Sequence, residues 1–370
     1  MRTKKIFFAG KYYSTFRKSL GIISIAVLFL FAISCNVNNS DDKKLPPCPP
    51  FLTIPTPPYD SPCWHPSGDF IGFNYTPLLK INYPYGEHCQ GEFVWDISMS
   101  GFWLINIDGT NMHRIFSHKL QSPVWAPDGE WIAFVEPVGD ERHIFKMRFD
   151  GSTFDTTTIV QLTTEGRNFV PSWSPDGQWI AFDSNVNSPN GMQFIWKMKS
   201  DGTQKTRLAY DPTKGEIRLP SWSRDGNKIV HIRYIGVGAP EVFVMDKNGN
   251  NLIRLTNNTN DDRFPHYVIE NQVVFWGTGN LWITDSLGSS TKQITTAGVD
   301  VDFGTPFDRS PFWNKIVYTK YWPYQWNYEN GTLWMVDLIT GEKKQLTFNI
   351  IPNNKGGDTN GFNKNTLKLH

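Results

Sequence analysis

Three carboxylates recur at one position of a longer pattern and are of the type that can bind a metal or exchange protons. Asp128, Asp176 and Asp225 each stand three residues after a tryptophan and directly before a glycine. A residue repeated once per copy of a pattern is more typical of folding than of one catalytic site. Because aspartate hydrogen-bonds its own backbone in tight turns, we interpret all three as turn residues.

Three arginines occupy a second recurring position. Arg167, Arg218 and Arg263 each lie two to four residues before a proline. They could line a channel and bind an anion, but their repetition again favours a structural role. We therefore expect them to brace neighbouring units of the fold.

No other chemistry-bearing residues are arranged in a recognised pattern. The eight histidines are scattered, and the sequence has no His-Glu-x-x-His, Cys-x-x-Cys or Gly-x-Ser-x-Gly segment. These are the spacings of common metal sites and of the hydrolase nucleophile. The sequence therefore predicts no cofactor, no metal and no catalytic residue.

The recurring residues belong to a repeated unit. It reads VWAPDGEWIAF at 124–134, SWSPDGQWIAF at 172–182 and SWSRDGNKIVH at 221–231. More divergent copies begin at Cys63 and His266, and a last one, with two extra residues, is anchored on Phe307. Proline, aspartate and glycine are the residues that tight turns select, and short β-prone segments flank them. Each copy therefore predicts a β-hairpin.

A second hairpin follows each first one. Its leading strand always has an aromatic residue at the second position, as in FWLINIDG (102–109) and IWKMKSDG (195–202). Six copies of two hairpins predict six four-stranded sheets. Sheets of this kind bury both faces when they stack around an axis. We therefore predict an all-β chain, a six-bladed β-propeller of four-stranded antiparallel blades over residues 63–348.

The unit resembles the TolB-type β-propeller repeat, whose hallmark is P-x-W-S-P-D-G-x-x-I-x-F. The match is best at 171–182 and 220–229. Related propellers serve as protein-docking platforms in the periplasm and as gating domains of prolyl-oligopeptidase-like and tricorn-like proteases. Since the sequence given ends about 20 residues after the last blade, with room for only a small added segment, we expect no hydrolase domain.

The N-terminal sequence predicts localisation to the bacterial cell envelope. Residues 1–34 are basic and then apolar, as in a signal peptide. The small residues Ala32 and Ser34 precede Cys35 and resemble a lipobox. This resemblance implies acylation (palmitate) of Cys35 and anchoring in a membrane. The outer membrane is favoured, and whether the protein faces the periplasm or the cell surface stays open. Residues 35–62 continue as a proline-rich tether, and 349–370 form a polar tail.

The balance of basic and acidic residues argues against a nucleic-acid partner. The chain has 36 basic and 35 acidic residues, and six of the basic ones lie within residues 1–34, which contain no acid. The remainder is net acidic, whereas nucleic-acid binding requires clustered cations. The membrane, through Cys35, and an envelope protein or peptide are the predicted partners.

The remaining cysteines allow one disulfide. If Cys35 is lipidated, Cys48, Cys63 and Cys89 are left in a compartment that permits oxidation. We favour Cys63–Cys89, because both belong to the first blade, and Cys48–Cys63 stays open as the alternative.

Two long loops carry the predicted binding surface. In such propellers the strand-two-to-three loops share one face, and the loops of blades one and six are long and aromatic. Exposed aromatic clusters in loops mark binding sites, although the same residues could instead cap the blades. The predicted rim comprises Tyr75, Tyr83, Tyr85, Trp95, Tyr321, Trp322, Tyr324, Trp326 and Tyr328.

The predicted function is a non-catalytic scaffold that binds a protein or peptide. The alternative is a propeller that binds or cleaves carbohydrate, which for cleavage needs two facing carboxylates in the channel. How the ring closes stays open, since residues 44–55 or 349–370 could each add a strand to blade six.

Overall fold

A computed structural model describes residues 48, 57–83, 85, 92–188, 190–208, 215–236, 238–295, 307–320 and 331–349. Within them, 26 strands form six four-stranded antiparallel sheets and one separate two-stranded hairpin. The first strands of blades one to five contact one another in turn, and the first strand of blade six contacts that of blade one, as expected of strands that surround the central axis of a propeller. The six-bladed propeller predicted from the sequence is confirmed.

The strand bounds follow the predicted hairpins. The first three blades contain β1 (Tyr59–Trp64), β2 (Phe70–Tyr75), the separate hairpin β3 (Leu78–Asn82) and β4 (Glu92–Trp95), β5 (Gly101–Asn106), β6 (His113–Phe116); β7 (Gln121–Trp125), β8 (Trp131–Val138), β9 (Glu141–Phe149), β10 (Phe154–Gln161); β11 (Asn168–Trp173), β12 (Trp179–Ser184), β13 (Phe194–Lys199) and β14 (Thr206–Arg207).

The last three blades contain β15 (Ile217–Trp222), β16 (Lys228–Tyr234), β17 (Pro240–Asp246), β18 (Ile253–Arg254); β19 (Asp262–Tyr267), β20 (Val273–Gly277), β21 (Asn280–Thr284), β22 (Thr291–Gln293); β23 (Asp308–Arg309), β24 (Lys315–Thr319), β25 (Leu333–Asp337) and β26 (Lys343–Gln345). Short 3-10 turns lie at Ile97–Met99 and Ile269–Asn271. Strand β1 begins at Tyr59, inside the segment predicted as tether.

The repeated turn forms as its residues predict. In blade three the Gly177 N–H donates to Ser174 O at 2.9 Å, and Gly177 adopts a φ of 70°. Asp176 Oδ1 accepts from Ser174 Oγ at 2.5 Å and from Gln178 N at 3.0 Å. The repeated carboxylate thus stabilises its own turn, as expected.

Aromatic anchors at the ends of the first strands fill the space between blades. Trp125, for example, packs between blades one and two against Phe102, Phe149 and Phe154. Its ring centroid lies 5.1 Å from that of Phe149 and 5.6 Å from that of Phe154. Burial of large rings such as Trp125 stabilises the interface between blades.

Blade six has a different register from the one predicted. Arg309 pairs with Ile316, and Ser310 N–H donates to Lys315 O, as Ser174 N–H donates to Trp179 O in blade three. The anchor position therefore holds Arg309, not Phe307, and the predicted two-residue insertion is wrong. The segment RSPFWNKIVY aligns without a gap on WSPDGQWIAF.

The ring closes by packing between blades six and one. Tyr59, Trp64 and Ile105 of blade one share a buried cluster with Val317 and Met335 of blade six. The Trp64 N–H donates to Asp308 Oδ2 at 2.7 Å across this interface. Each of these two sheets is complete with its own four strands, and the two segments considered as extra strands lie outside the described residues, apart from Cys48 and Asn349.

The predicted Cys63–Cys89 disulfide is wrong. Cys63 is a free, buried thiol, while Cys48 is disulfide-bonded; Cys89 itself lies outside the described residues. The reason is geometric: Cys63 pairs with Gly72 on β2 and packs with Phe102 inside the interface of blades one and two. Burial raises the pKa of the Cys63 thiol well above its usual value. The alternative Cys48–Cys63 pairing is excluded as well.

Candidate binding surface on the loop face

In its described part, the loop between strands two and three of blade one forms a β-hairpin. We call residues 76–100 the arm; it contains β3 and β4, which pair from Leu78–Trp95 to Asn82–Glu92. We call the propeller face that carries the arm and the blade-to-blade linkers the loop face, and the opposite face, with the Pro-Asp-Gly turns, the turn face. The long loop predicted for blade one therefore has secondary structure of its own.

Polar contacts hold the base of the arm on blade one. Thr76 Oγ1 lies 2.9 Å from Ser100 Oγ, and the Asp96 N–H donates to Pro77 O at 2.8 Å. Arg114 on β6 donates to Ser98 O at 2.7 Å. These bonds join both ends of the arm and tie it to the outer edge of the blade, so the arm is positioned by the sheet beneath it.

The arm exposes apolar side chains. Ile97 is 72% exposed, Leu79 56% and Tyr85 47%, with Met99 exposed beside them. Phe93 and Trp95 are half-buried and stack on each other with ring centroids 5.9 Å apart. Exposed apolar groups concentrated on one ordered element are typical of an interaction surface. Leu79, Ile97 and Met99 were not predicted from the sequence, because the aromatic content of the loop does not indicate which aliphatic residues are exposed.

The predicted aromatic rim is only partly described. Tyr83 is half-buried at the end of β3, while Tyr85 and Trp95 lie on the arm as above. Tyr75 has a structural role: its ring stacks on Tyr59 at 4.3 Å, next to the closure of the ring. The residues predicted from blade six, namely Tyr321, Trp322, Tyr324, Trp326 and Tyr328, lie outside the described residues, as does the predicted lipidation site Cys35.

Within the described part of the chain, the first strands carry three carboxylates. Asp60 forms an ion pair with Lys119 at 3.1 Å and accepts from Asn74, while Asp308 accepts from Trp64 N. Asp262 accepts from the Asn258 side chain, and burial raises its pKa to about 6. Each carboxylate thus has a bond that stabilises the fold, so the arrangement favours structural over acid–base roles.

Two of the three repeated arginines brace adjacent blades, as the sequence predicted. Arg218 of blade four donates to the fully buried Asp183 of blade three, Nε to Oδ2 at 3.4 Å. The Arg263 guanidinium of blade five lies 5.9 Å from the ring of Tyr234 in blade four. Arg167 acts through its backbone: its N–H donates to Asn185 Oδ1 within blade three, and it forms an isolated bridge with Arg142 of blade two.

One carboxyl on the loop face has a perturbed titration. Glu136, half-buried at the end of β8, has its pKa raised to about 7 by burial, while the nearby Arg142 opposes the shift. The buried Asp183 is shifted in the same direction for the same reason. A carboxyl that titrates near neutrality can exchange protons, and the cross-strand neighbour of Glu136 on β9 is His143. Within the described residues, no three His, Cys, Asp or Glu side chains are grouped to hold a metal ion.

Residues 98–276 match the family profile "TolB beta propeller domain". That segment contains the three best sequence repeats and the second to fifth anchors described above. Together with six antiparallel four-stranded blades, the match decides the kind of propeller. The chain is a TolB-like six-bladed β-propeller. No curated protein matches it by sequence.

Solved structures share the fold of this TolB-like propeller. TolB from Acinetobacter baumannii is 18% identical with a TM-score of 0.55, over 78% of this chain and 66% of that one. The tricorn protease (15%, TM-score 0.55) aligns over 80% of this chain and 27% of its own length. A puromycin-hydrolyzing peptidase of Mycobacterium tuberculosis (14%, TM-score 0.52) aligns over 79% and 53%. These chains are longer than the aligned part, and the likeness concerns the fold.

In the described ranges of this propeller, no helix has the length and apolar character needed to cross a membrane.

Proposed function

We propose that this TolB-like propeller is a non-catalytic scaffold that binds a protein or peptide through the arm of blade one. The observation that carries the proposal is the exposure of Leu79, Tyr85 and Ile97 on an element that blade one holds in place by hydrogen bonds. An exposed apolar side chain on a fixed backbone loses little conformational entropy on binding, which favours affinity. A TolB-like fold is consistent with a scaffold role.

The proposal includes a location. The basic and apolar N-terminus and the lipobox-like residues before Cys35 support lipid anchoring in a bacterial cell envelope. Several acyl chains on one cysteine give stable attachment, and the proline-rich tether then places the propeller at a distance from the bilayer. Metabolic labelling with palmitate tests this part: the wild type incorporates label and Cys35→Ser does not. Label in the Cys35→Ser protein would refute the anchor without affecting the binding proposal.

Binding through the arm is tested by chemical crosslinking in cells, followed by mass spectrometry of the complexes. The variant is Leu79→Ser with Ile97→Ser. The matched control is Leu287→Ser with Ile339→Ser, since both of those side chains are 69% exposed but lie on the turn face. We expect one envelope protein to be captured by the wild type and the control and lost in the arm variant. Capture that is the same in all three proteins would refute the arm as the binding surface.

A further inference from the structure

The anchor of blade six departs from the other five. Trp64, Trp125, Trp173, Trp222 and Tyr267 hold this position in blades one to five, and Arg309 holds it in blade six. Features repeated in every blade serve the fold, as argued above for the turn aspartates. A charged residue at the one exceptional position therefore calls for a different explanation.

Arg309 extends along the wall of the central channel. Its Nη2 lies 3.5 Å from the carbonyl oxygen of Trp222, which belongs to blade four. Blade five stands between these two blades, so their side chains and backbone can approach each other only at the inner edge of blade five. The half-buried Arg309 side chain therefore reaches across the channel surface of β19.

The guanidinium is held in place mainly by an aromatic ring. Its central carbon lies 3.7 Å from the ring centroid of Trp313, a close cation–π contact. Trp313 occupies the position of the turn glycine and has a φ of 67°, a strained conformation for a bulky residue. The turn of blade six thus holds Trp313, on which the Arg309 guanidinium stacks, in an unfavourable backbone conformation.

The hydrogen-bonding capacity of Arg309 is largely unused. The guanidinium has five N–H donors; the Trp222 carbonyl is at the distance limit for one of them, and Nε is buried without a hydrogen-bond partner. The adjacent Asp308 directs Oδ2 to the Trp64 N–H at 2.7 Å and Oδ1 to the Arg309 backbone N–H at 2.8 Å. Within the described residues, the Arg309 side chain forms no ion pair with a carboxylate.

The neighbouring groups are polar and uncharged. His266 of blade five has its pKa lowered to about 3, by burial and then by Arg309, so the ring is neutral at physiological pH. Its Nδ1 lies 3.3 Å from Ser221 Oγ of blade four, and the ring also hydrogen-bonds the backbone of Phe307. In the turns of blades three and four, Asp176 and Asp225 accept hydrogen bonds at Oδ1 from Ser174 Oγ and Ser223 Oγ. These two carboxylates are therefore engaged in stabilising their own turns.

We propose that Arg309 is the centre of a small oxyanion-binding site in the central channel, formed with Ser221 and His266. A partly buried guanidinium bears a desolvation cost, which Asp308 offsets only at a distance because its oxygens accept from backbone N–H groups. An oxyanion relieves the remaining cost through charge-assisted hydrogen bonds. Carboxylate and phosphate share this chemistry. The site is separate from the arm, and its occupancy does not depend on the function proposed above.

Isothermal titration with sodium phosphate and, separately, with sodium acetate tests the site on the purified propeller. The variant is Arg309→Met, which removes the charge and keeps an unbranched side chain; the control is Arg224→Met, which removes an exposed arginine from the turn of blade four. We expect binding by the wild type and by the control, and affinity at least about tenfold weaker in Arg309→Met, as the loss of a charge-assisted bond implies. Binding of phosphate but not acetate, or the reverse, shows which class of oxyanion the site prefers.

Absence of binding by the wild type, or equal binding by Arg309→Met, would overturn the proposal. If Arg309→Met does not fold, wild-type crystals soaked in selenate give the answer without a variant. An anomalous selenium peak within hydrogen-bond distance of the Arg309 guanidinium supports the site, and a channel without such a peak refutes it.

Discussion

Acid is expected to destabilise this propeller partly through one histidine, His231 on β16. The side chain is fully buried, its ring stacks on Phe243, and Nε2 has no hydrogen-bond partner among the described residues. Burial lowers the pKa of His231 from 6.5 to about 4, and the Ile232 carbonyl, 3.2 Å from Nδ1, opposes the shift. Protonation of this ring therefore favours the unfolded chain.

The sign and size follow from linkage. Between pH 6.5 and about 4 the unfolded chain binds a proton at this residue and the folded chain does not. The stability is complete above pH 6.5 and is lost as the pH falls towards 4. At pH 5 these two pKa values correspond to a loss of about 2 kcal/mol in the free energy of unfolding. Burial of Asp262 contributes with the opposite sign, because its pKa is raised to about 6.

A substitution of His231 separates its contribution to the pH dependence of stability from that of other titrating groups such as Asp262. His231→Leu removes the titrating ring and keeps a similar volume; His113→Leu, at an exposed site on β6, is the control. Urea unfolding followed by circular dichroism at pH 7.5 and pH 5 measures the difference in unfolding free energy from the wild type. We expect this difference to favour His231→Leu by about 2 kcal/mol more at pH 5 than at pH 7.5. A difference independent of pH would refute the reasoning.

Three further experiments test the interfaces between blades. Arg218→Met leaves Asp183 buried without its ion-pair partner and should lower the free energy of unfolding by about 3 kcal/mol, part of which Asp183→Asn should restore in the double variant by urea unfolding. Gly72→Ala would place a methyl group against the ring of Phe102, so we expect a loss of about 1–3 kcal/mol in the free energy of unfolding in the same assay. The control Gly139→Ala has open space at its Cβ, although its positive φ also carries strain. The Cys63 thiol should react with Ellman's reagent only in denaturant, since it is buried, and rapid reaction in the native state would contradict the packing described.

The repeat determined most of what the sequence could predict. Proline, aspartate and glycine in a fixed order encode the turn, and the alternating segments beside them encode strands that must bury both faces. Six copies then leave few arrangements other than a closed ring. The blade count and antiparallel pairing followed from these local rules alone.

Blade six shows where the same reasoning failed. The search for an aromatic anchor selected Phe307, because Arg309 interrupts the aromatic series and Trp313 replaces the glycine of the turn. An alignment by length, RSPFWNKIVY on WSPDGQWIAF, would have found the register. The anchor could not be recognised from its type, since cation–π stacking at this position depends on a second substitution four residues away.

The cysteines and the arm depended on information that the sequence lacks. Cys63 points into an interface only because β1 pairs it with Gly72, and the spacing of the cysteines along the chain does not encode that direction. Likewise, the long loop of blade one was predicted, but the exposure of Leu79 and Ile97 depends on which side of the hairpin packs. Side-chain direction on an irregular element is set by tertiary contacts and is not periodic.

The central claim is that a partner binds the arm on the loop face. Site-specific photocrosslinking tests it most directly, with a photoreactive phenylalanine analogue placed in cells at position 97 or at position 339. Both isoleucines are about equally exposed, at 72% and 69%, but lie on opposite faces. We expect one discrete light-dependent adduct at position 97 and none at position 339. Adducts of the same pattern at both positions, or none at position 97, would contradict the account.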